Sequence, residues 1–343
     1  MANPIHSPVL VSIVSFNSQH WLQGCLAAVQ QQTVPLRVKL FDNASRDRSL
    51  EVARRFPLRI QRSDANLGFS AAHNRNLIEE DFEYALVLNP DCCLAPDYIE
   101  CLIQAMTKVP GAGMAGGKLW RMDREGKRLE RDGHPVLDSA GIYFTPAQQH
   151  LDRGSDQADR GQFDSPQSVF GVTAAAALYS RAMLEDVRFE DEYFDEDFFA
   201  YREDAELCWR ARLMGWEAIY QPSACALHHR SVLPRLRRRL PAHLNRHSLK
   251  NRYLMRMKNM DAAVRRRCFP HMWLRDAGIL AYVLLRERSS LGAYRDAWRL
   301  RQRFRLKRRS LHERRRSTDP PLARWFSFRP QAFPLPSDIL TDN

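Results

Sequence analysis

The chain reads as an α/β protein built on a mostly parallel central sheet flanked by helices. Three observations predict it. Apolar, β-branched runs alternate with helix-period segments over residues 9–91, the signature of right-handed crossovers and a doubly wound sheet. The runs end in polar residues, as strands do where a ligand crevice opens. The length of 343 residues, with 44% hydrophobic and 27% charged, suits one large domain or two modest ones and needs no disulfide or metal for folding.

Val9 to Phe16 (VLVSIVSF) is a continuous apolar run, as a strand buried on both faces should be. Ser18 is placed to cap a helix through Leu22, Leu26 and Val29. Arg37 to Phe41 is the second strand and ends at Asp42-Asn43-Ala44-Ser45; Asp47 is placed to cap a helix from Arg48 to Phe56. Leu58 to Gln61 is a short third strand, and Asn66-Leu67-Gly68-Phe69 leads into a helix from Ser70 to about Glu80. Tyr84 to Leu88 is the fourth strand and stops at Asn89-Pro90-Asp91. Further on, EDAELCWRARLMGW is a helix that ends at Gly215, followed by extended segments Glu217 to Tyr220 and Ala224 to Leu227 and by His228-His229.

Several classes fall away. The first strand is not followed by GxGxxG, and GxxxxGK[ST] occurs nowhere, which disfavours a Rossmann dehydrogenase and a P-loop NTPase. Seven cysteines without a CxxC pair argue against a zinc ribbon and a secreted disulfide framework, and for reduced thiols in a cytoplasmic protein. The N-terminus has no basic, long-apolar signal pattern. The longest apolar run, Gly278 to Leu285, is far short of the roughly 20 residues that span a bilayer.

Charge is uneven. The net charge is +12, yet Arg230 to Arg316 holds 27 Lys plus Arg against 5 Asp plus Glu, so the remainder is acidic. This predicts an N-terminal domain over 1–230, a basic helical extension over 231–318 and a Pro-rich tail over 319–343 that wraps the surface or is loosely ordered. The extension interleaves arginines with Trp273, Leu274, Ile279, Leu280, Tyr282, Val283, Leu284, Leu285, Trp298, Leu300 and Phe304, a pattern that suits an anionic membrane surface. Its long helices can equally mediate a homodimer. On charge alone a nucleic-acid binder is the competing class, but it leaves the polar strand ends unexplained.

Those strand ends carry the chemistry. Asp91 either holds a divalent cation on a diphosphate, Mg²⁺ or Mn²⁺ being suited to oxygen ligands, or supports the helix that follows Pro96-Asp97. Phe189 to Asp204 holds eight carboxylates against one Arg. Residues 190–197 read as a solvated acidic loop. Glu203 and Asp204 open a helix, where crowding raises a carboxyl pKa and fits it to take a proton from a hydroxyl. His228 beside Asp91 would complete a mixed N/O cation site, although paired histidines more often sit on the surface.

In this order the segments VSIVSFN (11–17), FDNAS (41–45), NLGFSAAHNRN (66–76), LVLNPD (86–91), GVTAAAALYSR (171–181), FDEDFFAYREDAELCWRARLMGW (194–216) and LHH (227–229) resemble the inverting family-2 nucleotide-sugar glycosyltransferases, and most closely their rhamnosyltransferase-like branch. The resemblance covers about residues 9–230 and implies a GT-A fold. It places Asp42 on the base or ribose of the nucleotide, with Asn17, Asn43, Asn66, Gly68, Phe69, Asn74 and Asn89 on the same donor side. Asn89-Pro90-Asp91 stands where the family has DxD, so Asp91 would ligate Mg²⁺ or Mn²⁺, with His228 as the additional ligand. Asp204 aligns with the catalytic base, and Glu203, Ala174 and Ala175 lie on the sugar and acceptor side. The implied reaction moves a sugar, with dTDP-rhamnose the favoured donor, to a glycan or lipid-linked glycan in cell-envelope polysaccharide synthesis on the inner face of the plasma membrane. A nucleotidyltransferase is the alternative enzyme. It would need a basic Gly-rich loop after the first strand, where Asn17-Ser18-Gln19-His20 stands.

Overall fold

The structure is a computed structural model that describes residues 9–230, 241–316 and 321–335. Strands β1 (Val9–Ser15), β2 (Leu36–Asn43), β3 (Arg59–Ser63) and β4 (Tyr84–Leu88) pair in parallel, in the spatial order β4-β1-β2-β3. Their crossovers contain α1 (Gln19–Gln30), α2 (Ser49–Ala53) and α3 (Gly68–Leu77). Register brings the strand ends level: Ser15 lies opposite Asp42, and Ile13 opposite Leu88. Side chains alternate between two cores. Leu10, Ala85 and Val87 join one, whereas Val9, Val11, Ile13, Leu86 and Leu88 join the other, as the two-residue period of a strand requires.

The second half of the sheet is mixed. After β5 (Cys92–Leu94) and α4 (Tyr98–Lys108) comes β6 (Ala112–Arg121), and then the small strands β7 (Glu130–Arg131), β8 (His134–Pro135), β9 (Leu137–Ser139), β10 (Ile142–Phe144), β11 (His150–Asp152) and β12 (Gln167–Val169). Strand β13 (Ala176–Ser180) inserts antiparallel between β4 and β6, and α5 (Arg181–Val187) follows it. Helix α6 (Glu203–Leu213) then leads to β14 (Glu217–His228), which runs parallel to β6. The two extended segments expected at 217–227 are one strand, with its register broken between Gln221 and Cys225. Ser18 and Asp97 occupy N-cap positions, but neither side chain makes a capping bond. The seven cysteines are free.

The basic extension packs on this body through α7 (Ala242–Asn259), α8 (Ala262–Arg286), α9 (Gly292–Arg299) and α10 (Arg301–Glu313). The expected boundary after residue 230 abuts 231–240, outside the described residues, as is 336–343 of the tail. The part of the tail that is described closes the sheet: β15 (Ala332–Pro334) pairs with β12, and Trp325 and Phe326 are buried.

The acidic loop is not a solvated face. Asp195 is buried, with the ammonium groups of Lys258 and Lys307 each 2.7 Å away, and Glu206 lies 3.0 Å from Lys258. Arg303 reaches Glu192 and Asp197 at 3.0 Å each. Burial alone would raise the Asp195 carboxyl, but the two lysines hold it well below the usual carboxylate range. The loop docks α7 and α10; its cationic partners are far away in the chain, which is why local reading missed them.

Candidate active site

The level strand ends form one wall. Asn17 adopts φ 54° and its side-chain oxygen accepts from the Arg46 N–H at 2.8 Å. Asp42 is buried; one oxygen accepts from Ser45 N–H at 3.3 Å, and the other has no hydrogen-bond partner. Asn43 and Asn66 are spent on the turn they were expected to line. Asn43 Nδ2 donates to Asn66 Oδ1 (2.9 Å) and to the Gly68 carbonyl (3.1 Å), while its Oδ1 accepts from Leu67 N–H at 2.7 Å. Gly68 has φ +84°, and an added Cβ would lie 2.4 Å from the Phe199 carbonyl oxygen, so only glycine fits. The adjoining Phe69 N–H donates to that carbonyl at 2.6 Å, tying the donor turn to the loop ahead of α6. Asn74 is also a brace: its amide is consumed by Tyr193 N–H, Phe194 N–H, the Phe194 carbonyl and Glu196.

Asn89-Pro90-Asp91 leaves β4 beside the small segment 173–175, where Asn89 N–H donates to the Ala175 carbonyl at 2.9 Å. Asp91 and His228 meet as expected, Oδ1 to Nε2 at 3.4 Å. Of the histidine pair only His228 enters the site; His229 stacks on Trp21 with ring centroids 4.2 Å apart. Sequence reading missed the partner behind His228. Asp138, fully buried in the middle of β9, lies 2.8 Å from His228 Nδ1 and is shared with Arg230 (2.7 Å) and Arg121 (3.4 Å). Arg230 also bridges to Asp152 at 2.6 Å. Burial alone would lower the His228 pKa, but the Asp138 and Asp91 carboxylates push it up to about 10. His228 and Arg230 hold Asp138, against its burial, well below the usual carboxylate range. No local motif marks Asp138 or Asp152 as functional.

Asp91 and His228 fit a cation that takes the place of the proton the Asp138 and Asp91 carboxylates hold on the imidazole. An imidazole with one nitrogen turned to a buried carboxylate and the other to the site is the usual supported metal ligand. The O/N donor set suits Mg²⁺ or Mn²⁺, which keep positions for phosphate oxygens and water. Among the described residues no group of three or more His, Cys, Asp or Glu side chains is set to hold a metal ion by itself.

Asp204 faces this wall across Ala174, whose N–H donates to Asp204 Oδ2 at 3.5 Å, while Ala205 N–H donates to Oδ1 at 2.7 Å. Burial and the charge of Asp152 raise the carboxyl to about 6, against the pull of those N–H groups and Arg230. Glu203 is buried with Oε2 unpartnered, and burial followed by the Asp204 charge raises it to about 8. The loop before them carries Phe199, Tyr201 and Arg202 at φ 64°, 72° and 76°, and such strain persists only where the surroundings impose it. Asn251 of α7 imposes it here, since its Nδ2 donates to the Phe198, Ala200 and Tyr201 carbonyls at 2.8, 2.9 and 2.8 Å. Sequence reading gave no hint of Asn251.

A half-parallel sheet with carboxylates at its strand ends, a DxD-like turn backed by a histidine and a poised carboxylate opposite defines a GT-A, nucleotide-sugar-dependent glycosyltransferase. Residues 10–188, just over half of the chain, match the family model described as "Glycosyl transferase family 2", and the chain belongs to that family. It is similar to the N-acetylglucosaminyl-diphospho-decaprenol L-rhamnosyltransferase of Mycobacterium tuberculosis, 29% identical over 243 residues that cover 64% of this chain and 76% of the relative. Among solved structures, S. aureus TarS 1-349 in complex with UDP-GlcNAc superposes with a TM-score of 0.55 at 13% identity, covering 89% of this chain and 90% of that one. The longer S. aureus TarS gives the same TM-score, and the chain spans about half of it (55%). The mannosyltransferase PcManGT of Pyrobaculum calidifontis, with GDP-Man and Mn²⁺, gives 0.50 at 15% identity, covering 89% of this chain and 87% of its own. At these identities the structural likeness concerns the fold. With the family established, the nucleotidyltransferase alternative falls.

Proposed function

We propose that this enzyme is an inverting, metal-assisted glycosyltransferase. In this reading it transfers a deoxyhexose, rhamnose from dTDP-rhamnose being favoured, to a hydroxyl of a lipid-diphosphate-linked sugar at the cytoplasmic face of the membrane. The observation that carries the chemistry is Asp204: a carboxyl tuned to about 6 and reached by only two N–H donors, set across Ala174 from the Asp91 turn. The choice of sugar and acceptor leans on the mycobacterial relative and on nothing in the pocket itself.

In this mechanism the unpartnered Asp42 oxygen accepts a hydrogen bond from the nucleoside, and Asn17 and the 66–69 turn shape its pocket. Asp204 takes the proton of the acceptor hydroxyl as the oxygen bonds to the anomeric carbon. The bond from that carbon to the nucleoside diphosphate breaks on the opposite side, its electron pair leaving with the phosphate oxygen, so configuration inverts once. Asp91 and His228 would hold Mg²⁺ or Mn²⁺, which supplies positive charge beside the departing diphosphate. Ala174 and Ala175 leave room for the sugar, and Glu203, neutral at pH 7, adds no charge beside the base.

A thermal-shift screen of dTDP, UDP and GDP with their sugars, with and without Mn²⁺, tests the donor site. Ligand at about 100 times Kd adds about 2.7 kcal/mol of stability. A metal-dependent shift confined to one nucleotide family, lost in Asp91→Ala, is expected. No shift with any nucleotide overturns the reading, and equal shifts in EDTA remove the metal from it.

A further inference from the structure

We infer that the outer face of α8, continued by Trp298 of α9, is a docking surface for an anionic lipid bilayer. Helix α8 is 25 residues long but buries only Val264, Cys268 and Val283. Its opposite side carries Phe269, Trp273, Leu280 and Leu284 at helical spacing, with Leu274 and Leu285 beside them. Trp273 is 65% exposed, Leu274 68%, Leu285 76% and Trp298 62%. Nothing among the described residues covers this stripe, which runs for roughly 24 Å at 1.5 Å per residue. Continuous apolar surface of this kind on a soluble chain marks an interaction site.

Charge selects the occupant. Arg265 and Arg266 are exposed at one end of the stripe, Arg286 and Arg288 at the other, and the Arg301 guanidinium sits 3.6 Å over the Trp298 ring. Residues 241–316 hold 22 Lys plus Arg against 5 Asp plus Glu. A second copy docked by the same face about a two-fold axis would set these arginine clusters against their own images. An anionic headgroup layer meets them with opposite charge, while the Trp and Leu side chains enter the acyl boundary and the helix lies flat. No described helix is long and apolar enough to cross a membrane, so the contact is interfacial. The inference stands on the surface of the helical extension and does not depend on the donor or acceptor proposed above.

The test uses the full chain in flotation with vesicles of phosphatidylcholine alone or mixed with phosphatidylglycerol. Binding to the anionic vesicles should exceed that to phosphatidylcholine at least tenfold and weaken in high salt. The Trp273→Ser/Leu274→Ser/Leu285→Ser variant, whose three sites are solvent-exposed, should keep its melting temperature and nucleotide-sugar shift yet lose at least tenfold in anionic-vesicle binding. Absence of flotation, or flotation undiminished in the variant, overturns the inference. So does a wild-type dimer in sedimentation that the triple variant converts to monomer, since that assigns the face to a second copy. A chain that floats but shows no nucleotide-sugar shift would sink the transferase mechanism and leave the surface intact.

Discussion

Asp152→Asn should move the acid limb of transfer to lower pH without touching any group that bonds substrate in the proposed mechanism. The Asp204 carboxyl is lifted to about 6 by burial and by the Asp152 charge, and is pulled back by Ala205 N–H, Ala174 N–H and Arg230. Glu203, its neighbour on α6, is neutral below about 8 and adds little charge at the acid limb. A base of this kind works only when ionised, so kcat/KM should climb through pH 6 and level off above it. At pH 5 about one carboxyl in ten is ionised, and each further unit of acid costs about tenfold in rate. Replacing Asp152 removes a charge that raises the carboxyl, so the midpoint falls; Arg230→Gln removes one that lowers it, so the midpoint rises. Asp204→Asn, by contrast, should lose about 10²–10⁴ in rate at every pH while still binding nucleotide. The assay is the pH dependence of kcat/KM for nucleoside diphosphate release, read as a midpoint so that general losses of activity cancel. A profile flat from pH 5 to 8, an Asp152→Asn midpoint that rises, or Asp204→Asn turnover within tenfold of wild type would refute the reasoning.

Three further outcomes concern the stability of the folded chain. The folded Glu203 carboxyl titrates near 8 against 4.5 in its unperturbed state, so the native state loses stability as pH rises between those values; Glu203→Gln should raise Tm, with a gain near zero at pH 4.5 and greatest at pH 8. Lys258→Met leaves Asp195 and Glu206 short of a cation that sits 2.7 and 3.0 Å away, and should cost about 3–5 kcal/mol in denaturant unfolding. Gly68→Ala places a Cβ 2.4 Å from the Phe199 oxygen at φ +84°; Tm should fall and nucleotide affinity with it, because the donor turn and the loop ahead of Asp204 share that contact.

What the sequence disclosed, it disclosed through local pattern. β1 and β4 are apolar runs buried on both faces, so composition alone announces them. β13 escaped because it opens on alanines, weak strand formers that are extended here by pairing on both edges. Gln221-Pro222-Ser223 interrupts the hydrophobic pattern of β14, and the strand survives because its two halves pair with β6 across a register break. The place of Asp204 at a helix start was readable from residue type and order, whereas the approach of Asp91 to His228 was implied by the family resemblance. The second layer was not readable: Asp138, Asp152, Arg230 and Asn251 act through partners 53 to 92 positions away, and no period or motif encodes such a separation. The acidic loop carries the same lesson in reverse, since six carboxylates within residues 190–197 look solvated until the lysines that meet Asp195 are found.

The buried lysines of α7 and α10 and the Asn251 amide make the segment ahead of Asp204 a joint product of two stretches of chain that a recombination event would separate. A graft of acceptor specificity between relatives, cut where the family match ends at residue 188, would splice a foreign 189–204 loop to native α7 and α10, or the reverse, and mismatch Asp195 with its two cations. Residues 189–313 would therefore have to move as a block for the loop to keep the cations it packs against. That block also carries β14, which pairs with β6 and brings His228 to Asp91 and Asp138, so its seam with the rest of the sheet has to be matched as well.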